Sequence, residues 1–191
     1  MKTKLILVSA LVALGAIAGA QTPDPHRMSA LWQAANERMT LQSDAWFKVG
    51  DYPRIVEGLK YMHELDPTDY ETMTSLGWML ENVDRSDEAL ALYIDYRTRF
   101  PKIEDAEFPE ANFYFQRKLY SKVPPLVEPR IAAKESGPFS IRTLAHAYER
   151  MNLLADSKRT WLEFLAIKAD DGAAKHNLDR VTKKLQAASK P

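Results

Sequence analysis

The side chains with the widest chemical reach in this chain are its four histidines. His26 lies near the start, and His63 sits late in a helical stretch. His146 and Glu149 are three residues apart, which puts them on one face of a helix, and His176 follows in the next helical segment. Imidazole and carboxylate are zinc ligands, so these three residues outline the one metal site the sequence could build. An acid three residues after a histidine is also common on solvated helices, and no H-E-x-x-H pattern supports a metal. They are expected to be hydrogen-bonding polar groups, and no metal is assigned.

Acid pairs occur at Glu104-Asp105 and Asp170-Asp171. Neighbours on a helix point apart, so Glu104 and Asp105 do not make a general acid/base pair. Asp170 and Asp171 are expected to cap the helix that follows them. The absence of Cys removes thiolate nucleophiles, disulfides and cysteine-held metals. There is no Gly-rich phosphate loop and no G-x-S-x-G turn. Catalysis has no visible carrier: no catalytic residue and no cofactor is assigned, and the chain is read as a non-enzyme. Lys+Arg and Asp+Glu both number 26 among the 191 residues. That balance argues against nucleic acid as a partner, which would call for a basic surface.

The elements that position these residues begin after an N-terminal segment of a different kind. Lys2 and Lys4 precede an uncharged apolar run, Leu5 to Ala18, and Ala18-Gly19-Ala20 offers small residues for cleavage. This is the three-part pattern of a secretory signal over 1–20. The run is short for a membrane span, which takes about 20 residues. Removing 1–20 takes Lys2 and Lys4 from the 26 basic residues and leaves 24 against 26 acidic, a net of −2. Export to the periplasm or exterior is expected, without stable membrane insertion once the signal is cleaved. Residues 21–28, rich in proline and polar groups, are expected to form a flexible entry, with the first helix starting near Ser29.

From there the pattern is helical and periodic. Turns between helices are expected at Gly50, Asp84, Lys118 and Asn152, each 34 residues after the last. Small residues recur at Ser43, Gly77, Ala111 and Ala145, and large ones three positions later at Trp46, Leu80, Tyr114 and Tyr148. In each second helix one bulky row reads Leu59, Tyr93, Val127 and Trp161, and another reads Met62, Tyr96, Arg130 and Phe164. Small residues let antiparallel helices approach, as Gly77 against Ala89 and Ala145 against Ser157, and large ones fill the gaps. A fixed period of this length marks a stacked helical array.

The period and the small–large alternation resemble the tetratricopeptide repeat, TPR. The best-matching stretch is Tyr70 to Pro101, through Leu76, Gly77, Leu80, Ala89, Tyr93 and Pro101. The resemblance implies an all-α solenoid of four helix pairs at 36–69, 70–103, 104–137 and 138–171, with a polar closing helix at 172–187, making one repeat domain over 29–187. The third unit departs most. Pro124 and Pro125 fit a first helical turn, whereas Pro129 falls inside the second helix and should kink or delay it.

Arrays of this family hold partners on a concave face lined by their first helices. By register that face takes Phe47, Trp78, Glu81, Phe108, Asn112, Phe115, Arg142, His146 and Glu149 as candidate binding residues, with Asp105 beside them and Glu37 and Glu71 at its acidic end. Exposed aromatics in a polar-rimmed groove are the usual anchors of a partner. Packed against a neighbouring helix, the same residues would only stabilise the array, and the sequence leaves both readings open. The family's clamp for C-terminal carboxylates is not matched, because Thr40, Asp44, Thr74 and Trp78 stand where it needs cations and Asn. The expected function is a protein–protein interaction module or scaffold holding a peptide or helix. The alternative is a self-associating envelope component without a peptide ligand.

Overall fold

The computed structural model describes residues 24–188, and every regular element among them is helical. The expected signal segment, 1–20, lies outside the described residues. The helices are α1 (Pro25–Lys48), α2 (Tyr52–Leu65), α3 (Tyr70–Asn82), α4 (Ser86–Arg99), α5 (Phe108–Gln116), α6 (Pro124–Ala132), α7 (Pro138–Arg150), α8 (Leu154–Ile167) and α9 (Gly172–Ala188). A single 3-10 turn, Tyr120–Lys122, joins α5 to α6. Among the described residues no helix is long and apolar enough to cross a membrane.

The chain divides after Arg38 into two compact units. The described part of the first unit is the opening of α1. The helix begins at Pro25, earlier than Ser29, so the expected flexible entry is already helical over 25–28. Local chemistry explains the early start: Pro25 suits the first helical position, and the Asp24 carboxylate accepts from the His26 amide at 3.0 Å.

The second unit runs from Met39 and is built from repeated caps. The amides of Asp51, Arg85, Leu119 and Leu153 donate to the carbonyls of Trp46, Leu80, Tyr114 and Tyr148, each at 2.9 Å. The residues just before those donors, Gly50, Asp84, Lys118 and Asn152, have φ of 72°, 60°, 61° and 61°. Each is the left-handed residue of a Schellman-type C-cap, so the four turns at the 34-residue period share one backbone solution.

Between the caps, α2 to α4 pack in sequence, α5 sits against α4 and α7, and α7, α8 and α9 follow. One core cluster joins Ile55, Val56, Met73, Leu76, Leu80, Ala89, Tyr93 and Tyr96. A second joins Ala111, Val127, Leu144 and Tyr148, and a third joins Ala145, Trp161, Phe164, Ala174 and Val181. Ser157 donates its hydroxyl to the Ala145 carbonyl at 2.8 Å, so that helix contact is as close as its small residues allow. At Gly77 the close neighbour is the ring of Tyr93, not Ala89: a Cβ there would stand 2.1 Å from the ring.

The third unit is the irregular one. Its first helix starts at Phe108, not near 104, and Asp105 has φ of 57°, which no helix accommodates. Residues 101–107 form consecutive turns, and Pro109 then fits the opening turn of α5. Pro124 and Pro125 open α6, which is 9 residues long against 14 for α2, α4 and α8, with Pro129 inside it.

Arg130 occupies the row filled elsewhere by buried Met62, Tyr96 and Phe164. Its guanidinium bonds the Glu107 carboxylate at 3.1 Å and the Glu135 carboxylate at 2.9 Å. It also donates to the carbonyls of Pro101, Ile103 and Glu135. Glu107 is 0% exposed and takes the Ser136 hydroxyl at 2.6 Å on its other oxygen. A buried ion pair thus fills an apolar position and ties the 101–107 turns to α6.

Candidate partner-binding face

The first helices α3, α5 and α7 supply most of the candidate residues, and α1 supplies Phe47. Trp78 projects from α3 and is 55% exposed, with the Asn82 amide donating to its carbonyl at 2.7 Å. Phe47, 50% exposed, meets Tyr52 edge to face with centroids 5.6 Å apart. Asn112 accepts a hydrogen bond from the Gln116 amide one turn on, at 3.4 Å.

Glu81 lies among these residues by register, but its charge is engaged. One carboxylate oxygen accepts from the Tyr93 hydroxyl and the other from Arg117, both at 2.9 Å. The same guanidinium stacks 3.5 Å above the Phe113 ring and reaches the Ser86 hydroxyl at 2.9 Å. Glu81 is therefore the hub of a staple between α3, α4 and the end of α5, and its charge is spent inside the fold rather than offered on the face.

Two clusters form on α5, α7 and α8. Phe108 and Phe139 pack ring against ring at 5.4 Å, and Arg142 lies 5.3 Å from the Phe139 centroid. Phe139 is 51% exposed. One turn along, His146 packs against Trp161 at 4.9 Å and Phe115 at 6.4 Å, and Phe115 also meets Tyr120. Phe115 is thus mostly held by its neighbours, while Phe47, Trp78 and Phe139 remain open.

Glu149 is within 4.0 Å of His146 Nδ1, but its strong partners come from α9: Arg180, through both nitrogens of its fork, and Lys184 at 2.8 Å. Burial pushes the Glu149 carboxyl upward, yet the hydrogen bonds from Lys184 and Arg180 outweigh it and hold the group below the ordinary carboxylate range. His146 is lowered by burial; Glu149 pulls the other way, and Arg180, Arg142 and Arg150 add to the lowering. The imidazole is neutral at neutral pH. Among the described residues no group of three His, Asp or Glu is arranged to hold a metal.

Asp105, placed beside the face by register, performs a structural task instead. It is buried, and its carboxylate accepts from the amides of Phe139 at 3.1 Å and Ser140 at 2.8 Å, so it caps α7 from 35 residues away in sequence. The residue at the cap position of α7 is Gly137, and a Cβ there would stand 2.3 Å from the Asp105 carboxylate. Asp171, by contrast, caps α9 as expected, accepting from the Ala174 amide at 2.8 Å.

No protein-family model and no curated protein matches the chain. Solved structures do. A crystal structure of MamA protein superposes with a TM-score of 0.53 at 14% identity, covering 80% of this chain and 88% of that one. MamA 41-end from Desulfovibrio magneticus RS-1 gives 0.50 at 15%, covering 82% and 98%. The MamA RS-1 ArsTM double mutant gives 0.51 at 15%, covering 81% and 97%. The fold is TPR-like. At such identity the likeness speaks for the helical solenoid and for nothing finer, so the residues of the face must be judged on their own geometry.

Arg117, Lys184 and Trp161 shape this face, although register alone does not single them out as partners of Glu81, Glu149 and His146. Arg117 and Lys184 follow their acids by 36 and 35 residues, off the 34-residue period, so no periodic signal in the sequence pairs them.

Proposed function

We propose that the protein is an exported protein-interaction scaffold that holds a peptide or partner helix along the first helices of its repeats. The observation that supports this reading most is the exposure of Phe47, Trp78 and Phe139 on the first helices of a TPR-like array. Large apolar side chains left open on a polar surface are typical binding anchors. Among the described residues no group of side chains is arranged for catalysis, and protein partners are the usual cargo of such solenoids.

The test is to pan a random displayed-peptide library against the purified protein and to measure the selected peptides by calorimetry. Trp78→Ala and Phe139→Ala should each weaken them by tenfold or more, the effect of about 1.4 kcal/mol. Undiminished affinity in both variants would mean that the face is wrongly assigned. A dimer in light scattering that Trp78→Ala dissolves would favour self-association instead. Export is tested by N-terminal sequencing of the protein recovered from producing cells: Gln21 is the expected first residue.

A further inference from the structure

The arginines of the second unit are unevenly satisfied. Eight of its ten, Arg54, Arg85, Arg97, Arg99, Arg117, Arg130, Arg159 and Arg180, hold a carboxylate within ion-pair distance. The other two, Arg142 and Arg150, are exposed on α7 and have no carboxylate partner among the described residues. They stand four residues either side of His146, and their fields both act on its ring, so they share its side of the helix. The acid nearest this stripe, Glu149, is already bonded to both Arg180 and Lys184. Glu149 is thus spent on α9 and leaves Arg142 and Arg150 without a carboxylate. At the N-terminal end of the stripe, the exposed Phe139, packed on the half-buried Phe108, lies directly beside Arg142.

We propose that this stripe of α7 docks an acidic linear peptide bearing an aromatic or large aliphatic anchor. The inference rests on the interaction reading above and names the chemistry of its partner. The anchor packs on Phe108 and Phe139. The following carboxylates take the free guanidinium groups of Arg142 and Arg150, which present a fork of donors suited to carboxylate oxygens. The pattern favours a peptide over a bilayer or nucleic acid, because the cations form a stripe one helix wide with an apolar foothold, on a chain whose formal net charge is zero.

The experiment uses a short fluorescein-labelled peptide of Asp and Glu around a central Phe-Leu pair, read by anisotropy on the purified protein. Its controls are the same peptide with Lys in place of the acids, and the acidic peptide with Ala-Ala at its centre. The acidic Phe-Leu peptide should bind at least about tenfold tighter than either control, and binding should fall as salt is raised. Arg142→Glu combined with Arg150→Glu should weaken it about tenfold or more, with circular dichroism unchanged because both side chains are exposed. The lysine peptide binding equally well, or the double variant binding unchanged, would overturn the inference. So would phosphatidylglycerol vesicles or single-stranded DNA displacing the peptide through the same two arginines. If the random library instead yields only non-acidic peptides that depend on Trp78, the scaffold reading survives and this inference alone fails. If no peptide binds at all, both fail.

Discussion

Removing the Arg130 side chain is the sharpest test of how the irregular third unit is held. In Arg130→Ala the Glu107 carboxylate, 0% exposed, keeps only the Ser136 hydroxyl, and the carbonyls of Pro101 and Ile103 lose a donor. Breaking a buried ion pair from one side costs about 3–5 kcal/mol, because the remaining charge is left without compensation. In a domain of this size about 1 kcal/mol shifts the thermal midpoint by roughly 2–4 °C, so a fall on the order of 10 °C is expected. The assay is far-UV circular dichroism in a thermal ramp and a urea titration. The second arm is Arg130→Met with Glu107→Leu, which restores an apolar residue to the row of Met62, Tyr96 and Phe164 and removes the stranded acid. This double variant should be more stable than Arg130→Ala. If the double variant is the less stable of the two, or if Arg130→Ala shifts the midpoint by no more than a degree or two, the pair is not what holds the 101–107 turns.

Gly77→Leu should lower stability by about 1–3 kcal/mol or more, since even its Cβ would stand 2.1 Å from the Tyr93 ring and displace the hydroxyl from Glu81; an unchanged melting midpoint would refute that packing. Lys118→Gly should raise the midpoint, because a residue with a side chain at φ of 61° stores about 1 kcal/mol of strain that Gly lacks, and a fall would contradict the cap assignment. Acid should destabilise the protein in two stages. His146 and His63 are both lowered, chiefly by burial, so their contribution is full above pH 6.5, the ordinary histidine value, and is lost as pH falls from there through their folded values. Glu149 is lowered from 4.5, so its contribution is present above that value and is lost as pH falls through its lower folded pKa. Urea midpoints measured against pH should show the first stage flattened in His146→Gln and the second in Glu149→Gln; parallel curves for all three proteins would reject the assignment.

The sequence by itself determined the periodic part of the molecule. The cap at each 34-residue step is local: a donor reaches five residues back, and the residue before it turns left-handed, so spacing suffices to locate it. Small and large residues at Gly77, Ala145, Leu80 and Tyr148 are legible for the same reason, because each repeat presents its neighbour with the same geometry. The tertiary structure alone decided which charges are spent. Glu81 meets Arg117 across 36 residues, Asp105 caps α7 across 35 and Glu107 meets Arg130 across 23. No periodicity of types predicts such pairings, since they depend on turns and helix ends being brought together in space. The misplaced start of α5 belongs here too: residues 104–107 could have begun a helix on local grounds, but distant partners recruited Asp105 and Glu107 into the loop. The same pairings leave Arg142 and Arg150 without a carboxylate beside the exposed Phe139.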